Sequence, residues 1–177
     1  LVIYNALENP EEVSEMKPLL VEVKSISYTR YDKDGNIIAS GIVSGETKIA
    51  EFLFNSLGSV DRPRLISYGA RSLILPRLAL VAMRDGLNIS DCINAGNNWE
   101  GYEKRFSRKY HVDIMELLSR DGATRYISLL EAMSLILPAS YPMENGADNF
   151  QDILDNPRKA PDAIYTIFKR AVVAGII

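Results

Sequence analysis

The order of segments predicts an α/β domain built on a mixed sheet, with antiparallel hairpin strands flanked by helices. Three observations carry that expectation. Leu1-Val2-Ile3-Tyr4 is an unbroken apolar run and reads as a short buried strand. Two runs rich in β-branched residues, within Leu20 to Tyr31 and Ile37 to Val43, flank the turn cluster Asp32-Lys33-Asp34-Gly35-Asn36 and read as an antiparallel hairpin. Glu46 to Leu57 then sets Ile49, Phe52, Leu53 and Leu57 on one face at helical spacing.

Each later element has its own signal. Gly58 stops the first helix. Arg64 to Tyr68 is the next strand, reached through Pro63 and left through Gly69. Ser72 is placed to cap a helix from Leu73 to Asp85, with Pro76 in the first turn and Gly86 at the end. Asn88 to Tyr110 is polar and reads as an ordered excursion. Val112 to Ser119 and Ser128 to Leu137 predict two more helices. Pro138 to Asn149 reads as a loop, Phe150 to Asp155 as a short helix, and Pro161 to Ala174 as the last helix. No repeat or low-complexity linker interrupts residues 1–177, so a single domain is expected. The first residue is not Met and the last ones are apolar, so the chain is expected to belong to a longer protein.

Composition narrows the chemistry. The chain has 177 residues, 20 basic against 23 acidic, for a net charge of −3. One cysteine, Cys92, leaves no intrachain disulfide framework, and one histidine, His111, excludes any two-histidine metal motif. No signal peptide or bilayer-spanning run is visible, since Pro76 and Arg77 break the stretch from Leu73 to Met83. A cytoplasmic protein is the expectation. Asp32 to Asn36 lacks the closing Glu of a calcium loop and is read as a hairpin turn.

Three stretches carry a resemblance. The first strand runs on as Asn5-Ala6-Leu7-Glu8-Asn9-Pro10. The second stretch is Pro63-Arg64-Leu65-Ile66-Ser67-Tyr68-Gly69-Ala70-Arg71-Ser72-Leu73-Ile74-Leu75-Pro76. The third is Tyr165-Thr166-Ile167-Phe168-Lys169, and an aromatic and basic segment from Trp99 to Asp113 lies between. Together they resemble the ribonuclease-H-like 3′–5′ exonucleases of the DEDD (DnaQ-like) type, in the bacterial branch related to the proofreading domain of family B DNA polymerases. That resemblance implies a ribonuclease-H-like sheet. It also implies a site at which four carboxylates hold two Mg²⁺ or Mn²⁺ ions, ~3.5–4 Å apart, that activate water and clamp the scissile phosphate.

At the four matching positions this chain has Asn5, Leu7, Ile74 and Lys169, while the tyrosine of the third motif, Tyr165, remains. None of the four is a carboxylate, and divalent metals of this kind require hard oxygen ligands. The resemblance therefore implies a degenerate site with no metal cofactor, and an exonuclease-like domain kept as a structural or protein-interaction module. Its partners would be another protein or other domains of a longer chain.

Two alternatives stand beside it. One is noncatalytic binding of single-stranded nucleic acid through Arg71, Lys104, Arg105, Arg108, Lys109 and Lys169. In that case Trp99, Tyr102, Phe106 and Tyr110 would be available for stacking on bases. The same aromatics, three and four apart, also fit a stripe packed against the core, and that plainer reading is preferred. The other alternative is a metal-dependent 3′–5′ exonuclease with a relocated site, for which Glu8, Asp113 or Asp162 would have to converge. His111 and Asp113 are expected to form a satisfied, structural pair. Partner and oligomeric state are not fixed by the sequence.

Overall fold

A computed structural model describes residues 1–4, 22–59, 61–93, 102, 108–119, 127–137, 156 and 159–177. The strands are β1 (Val2–Tyr4), β2 (Ser25–Tyr31), β3 (Ile37–Ser44), β4 (Leu65–Ser67) and β5 (His111–Asp113). They form one sheet in the order β3-β2-β1-β4-β5. β2 pairs antiparallel with both β1 and β3, while β4 runs parallel to β1 and β5 parallel to β4. The helices are α1 (Glu46–Leu57), α2 (Leu75–Asp85), α3 (Ser90–Ile93), α4 (Ile114–Leu118), α5 (Leu129–Ile136) and α6 (Ala160–Val173). A π-helical turn, Ala70–Ile74, leads into α2.

Side-chain alternation along the strands divides the interior into two cores. Ile3, Ile26 and Leu65 point to the side covered by α1 and α2, and pack with Ile49, Leu53, Leu57 and Leu78. Val2, Ile66 and Val112 point to the other side, where Met133 of α5 and Ile164 and Ile167 of α6 cover them. Val2 and Ile3 of the central strand are both apolar because they serve opposite cores.

The hairpin turn is closed by Asp32, whose Oδ1 accepts the backbone N–H groups of Asp34 (2.8 Å) and Asn36 (2.9 Å). α1 starts and stops where the sequence places it. Glu46 at its first turn accepts a two-pronged bond from Arg77 of α2 (2.7 and 2.8 Å) and the N–H of Val23 (3.0 Å). Hydrogen bonding from Arg77 holds the Glu46 carboxyl below its ordinary range, burial opposing it. The predicted α5 is also found, with Ser128 and Glu131 closing a reciprocal capping box.

Three expectations change. Ser72 caps nothing: it lies inside the π-helical turn, and α2 begins only at Leu75, without a side-chain cap. The segment from Val112 is not helical from its first residue, because His111–Asp113 pairs with β4 as the outermost strand before α4 starts. Of the polar excursion, Ser90–Ile93 forms the short α3. The loop predicted over 138–149 and the helix over 150–155 lie outside the described residues.

Candidate functional site

Open α/β sheets carry their sites beyond the carboxyl ends of their strands. Here that edge is formed by the ends of β1, β4 and β5, with Ser67 directly opposite Asp113 in the β4–β5 register. Asn5, Leu7, Glu8, Lys104 and Arg105 lie outside the described residues.

A buried polar network is built at the ends of β4 and β5. The Asp113 carboxylate accepts backbone N–H bonds from Gly69 (2.8 Å), Arg71 (2.9 Å) and Met115 (3.1 Å). It therefore caps α4 and also holds the turn that follows β4. Gly69 makes that turn in the left-handed region (φ 74°), so a side chain at 69 would be strained, and its Cβ would lie 3.3 Å from the end of the Met115 side chain. Beyond it the chain winds one wide turn, in which the N–H of Leu75 reaches back to the carbonyl of Ala70. π turns of this kind frequently mark functional positions, and this one carries Ile74.

Arg71 is not the surface cation expected from the sequence. Its side chain is 7% exposed, and its Nη1 donates to Glu116 Oε2 at 2.8 Å, a carboxylate itself 8% exposed. Its Nη2 donates to the carbonyl of His111, also at 2.8 Å. A guanidinium turned inward and bound on two sides does not reach a phosphate in solvent, so Arg71 is withdrawn from the nucleic-acid contacts. Arg77, which also flanks the second motif, is held by Glu46.

His111 is fully buried. Its Nδ1 faces the carbonyl of Tyr102 at 2.7 Å, and a carbonyl only accepts, so Nδ1 carries the proton. Its Nε2, 2.8 Å from Ser67 Oγ, then accepts the serine hydroxyl. The imidazole is neutral: burial pushes its pKa down to about 4, with the Arg71 charge adding to that and Asp113 opposing it. Ser67 also lies 3.3 Å from Asp113 Oδ2, so serine bridges the two residues expected to pair directly. The Ser67–His111 contact has the geometry of a nucleophile and its base. Both residues are wholly inaccessible, however, and no substrate carbonyl can approach them.

Ser67 and Glu116 are the members of this network that sequence reasoning missed. They are joined to their partners across 44 and 45 residues, and no local pattern announces such contacts.

The family's metal positions can be tested where they are described. Ile74 has no donor atom and is 3% exposed, buried within the same core as Ile3 and Leu78. Lys169 lies on α6, across the other face. Its ammonium stands 5.0 Å from the centroid of the Tyr165 ring. Tyr165 is itself sandwiched between Tyr31, at 3.9 Å, and Phe168, at 6.1 Å. Tyr31 lies past the Val2–Thr29 pairing, at the amino end of β1, and Arg64, just before β4, stacks over Phe168. These contacts draw Lys169 toward the amino ends of the strands and do not bring it to Ile74.

Asp162, in the first turn of α6, accepts the Tyr31 hydroxyl at 2.6 Å. Among the described residues no group of three His, Cys, Asp or Glu side chains is placed to share an ion. The residues present at Ile74 and Asp113 do not fit a carboxylate-bound metal pair. One is apolar, and the other has its carboxylate occupied by three backbone donors.

Arg108 and Lys109 are exposed just before β5. Arg108 donates to the carbonyl of Ile176 at 2.8 Å, and Lys109 lies over the Tyr110 ring at 5.2 Å. Tyr102 is buried, its ring 5.7 Å from that of Tyr110 and its hydroxyl donating to the carbonyl of Pro63 at 2.8 Å. These two aromatics pack with the α1–α2 core; Trp99 and Phe106 lie outside the described residues. Cys92 is buried. No described helix is long and apolar enough to cross a membrane.

A mixed five-stranded sheet in this order, with helices on both faces, is the ribonuclease-H-like exonuclease architecture. Over residues 16–148, well over half of its length, the chain matches the family described as "Predicted 3'-5' exonuclease related to the exonuclease domain of PolB", and it belongs to that family. No curated protein and no solved structure matches it significantly. The matched range includes the second motif and the Trp99 to Asp113 segment. Residues 1–10 and 165–169 fall outside it.

Proposed function

We propose that this chain is a noncatalytic member of the exonuclease family, serving as a structural or protein-interaction module. The observation that supports it is Ile74. Where the second motif of the family carries a metal-binding carboxylate, this chain places a buried aliphatic side chain in the core. The neighbouring polar groups at the ends of β4 and β5 satisfy one another inside the protein rather than facing a cleft. Among the described residues, a carboxylate saturated by backbone donors and a core isoleucine offer little to draw a hydrated cation out of water.

The test is a 5′-labelled single-stranded oligonucleotide incubated with the protein and Mn²⁺ and resolved on a denaturing gel. An intact oligonucleotide is the expected result. A descending ladder that chelator abolishes would overturn the proposal and point to carboxylates converging elsewhere.

A second reading, binding of single strands without cleavage, draws on the exposed cations Arg64, Arg108 and Lys109 at the amino ends of β4 and β5. Arg64 donates two bonds to the Arg108 carbonyl (3.1 and 2.7 Å), which sets the two side by side. Binding by this surface must weaken steeply with salt, as phosphate contacts do. An affinity that is absent, or indifferent to salt, removes this reading.

A further inference from the structure

We propose that the groove where the carboxyl-terminal ends of α4, α5 and α6 meet is a docking surface, and that its partner is an acidic amphipathic helix of another protein. The proposal rests on the reading of this chain as an interaction module and says where, and with what chemistry, the interaction is made. The groove has a volume of about 670 Å³. Leu117 and Leu118 of α4, Ile136 at the end of α5, and Ile167, Ala171 and Ala174 line it.

The shape is set by α6. Ile167, Arg170, Ala171 and Ala174 fall at i, i+3, i+4 and i+7, so one face of the helix turns to the groove along its second half. From Thr166 to Ala174 that face runs about 12 Å, a little over two turns. The groove is open rather than closed over: Val173 on its rim is 89% exposed and Ile176 is 52% exposed. A small ligand needs most of its surface enclosed. A helix that lays down one apolar face needs only a trough of this length, and it anchors there by the same i, i+3, i+4, i+7 spacing.

The sign of the partner follows from the rim. Lys169 and Arg170 border the groove, and Arg108 reaches its end by donating to the carbonyl of Ile176 at 2.8 Å. Arg170 also spans to α5, where its Nη1 donates to the carbonyl of Ile136 at 2.6 Å. None of the described residues lining the groove is acidic, and the sequence from Ala163 to Ile177 holds no Asp or Glu. Against these cations stand three helix ends, each worth at most about half a negative charge. Three full charges outweigh them, so the rim is positive. A helix with carboxylates flanking its apolar face complements that rim. Two copies of this chain meeting groove to groove would instead set Lys169 and Arg170 against themselves.

The experiment is a fluorescence-anisotropy titration of the full chain against a labelled synthetic helix, with leucines at i, i+3, i+4 and i+7 and glutamates on the flanks. Two control peptides carry lysines in place of the glutamates, or the same residues in scrambled order. The acidic peptide is expected to bind at least about tenfold tighter than either, and to lose affinity as salt rises. Val173→Glu is expected to weaken it at least about tenfold. Met83→Glu, at a 74% exposed position on α2, is expected to leave it unchanged. Lys169→Glu is expected to move the preference toward the lysine peptide. No binding, equal binding of the two charged peptides, or equal loss in Val173→Glu and Met83→Glu overturns the proposal. So does a mass that doubles with concentration and is lost in Val173→Glu, which would give the groove to a second copy. Laurate held there while the acidic peptide is not would give it to a small amphiphile, and also overturns it. The oligonucleotide assay stays independent of these results. An intact oligonucleotide without peptide binding removes the docking site and keeps the noncatalytic reading, whereas a descending ladder removes that reading whatever the peptide does.

Discussion

Replacing Arg71 by Met tests whether the second motif of this chain is turned inward. The substitution keeps an unbranched stem and removes the guanidinium. It leaves Glu116 as a carboxylate 8% exposed, without the cation 2.8 Å away, and takes one donor from the carbonyl of His111. Breaking a buried pair on one side costs about 3–5 kcal/mol, mostly because the remaining charge is stranded. For a chain of this size each kcal/mol lowers the melting temperature by about 2–4 °C, so a fall of about 6–20 °C is expected. Thermal denaturation followed by circular dichroism measures the fall, and urea denaturation the free energy. The double variant Arg71→Met/Glu116→Leu removes the stranded charge and is expected to recover much of the loss. A loss below about 1 kcal/mol is what a solvated surface pair would give. That result would refute the buried network and return Arg71 to the list of cations facing solvent.

Other outcomes follow from the same geometry. His111 is held neutral, with its pKa lowered from 6.5 to about 4, so the unfolded chain takes up its proton first. Stability present above pH 6.5 is therefore lost as pH falls toward about 4, by a contribution on the order of 3 kcal/mol. Denaturation curves across that window check it, and His111→Asn should lose that part of the slope. Ile74→Asp supplies the carboxylate that the proposed reading finds missing at this position, but at a site 3% exposed. It gives up about 1.5–3 kcal/mol of aliphatic burial and adds the cost of burying an acid. A lower urea midpoint and no Mn²⁺-dependent cleavage are expected; a stable, cleaving variant would contradict the closed site. Ser128→Ala removes one half of the capping box on α5 and should cost about 1 kcal/mol by the same denaturation assay.

The sequence was most readable where contacts are local. The apolar face of Ile49, Phe52, Leu53 and Leu57, ended by Gly58, set α1 at its observed bounds, and the Asp32 turn set the hairpin. It was least readable where structure depends on a partner far along the chain. Nothing around residue 70 tells that Asp113 will bind the N–H groups of Gly69 and Arg71, and so favour a wide turn over a helix capped by Ser72. β5 is a three-residue strand, too short to show alternation, and its residues passed for the start of α4. Arg71 looked like a surface cation for the same reason, since its anion lies 45 residues later. The substitution at Ile74 could be read by motif, whereas its burial came only from the fold. For Lys169 the motif suggested proximity to that position, and the tertiary contacts carry it elsewhere.

The division into two cores has a consequence for how the chain emerges from the ribosome. The α1–α2 side can largely close early, because the two helices that cover it lie between positions 46 and 85 and only Cys92, Tyr102 and a few flanking residues join it later. The other side leaves Val2 and Ile66 without their full cover until first α5, from Leu129, and then α6, from Ala160, have been made. At about 5–20 residues per second, roughly ten seconds or more pass between the first strand and its last cover. For that interval a sheet with one finished face presents an oily one to the surrounding water, and a chaperone that recognises such surfaces has its longest opportunity there.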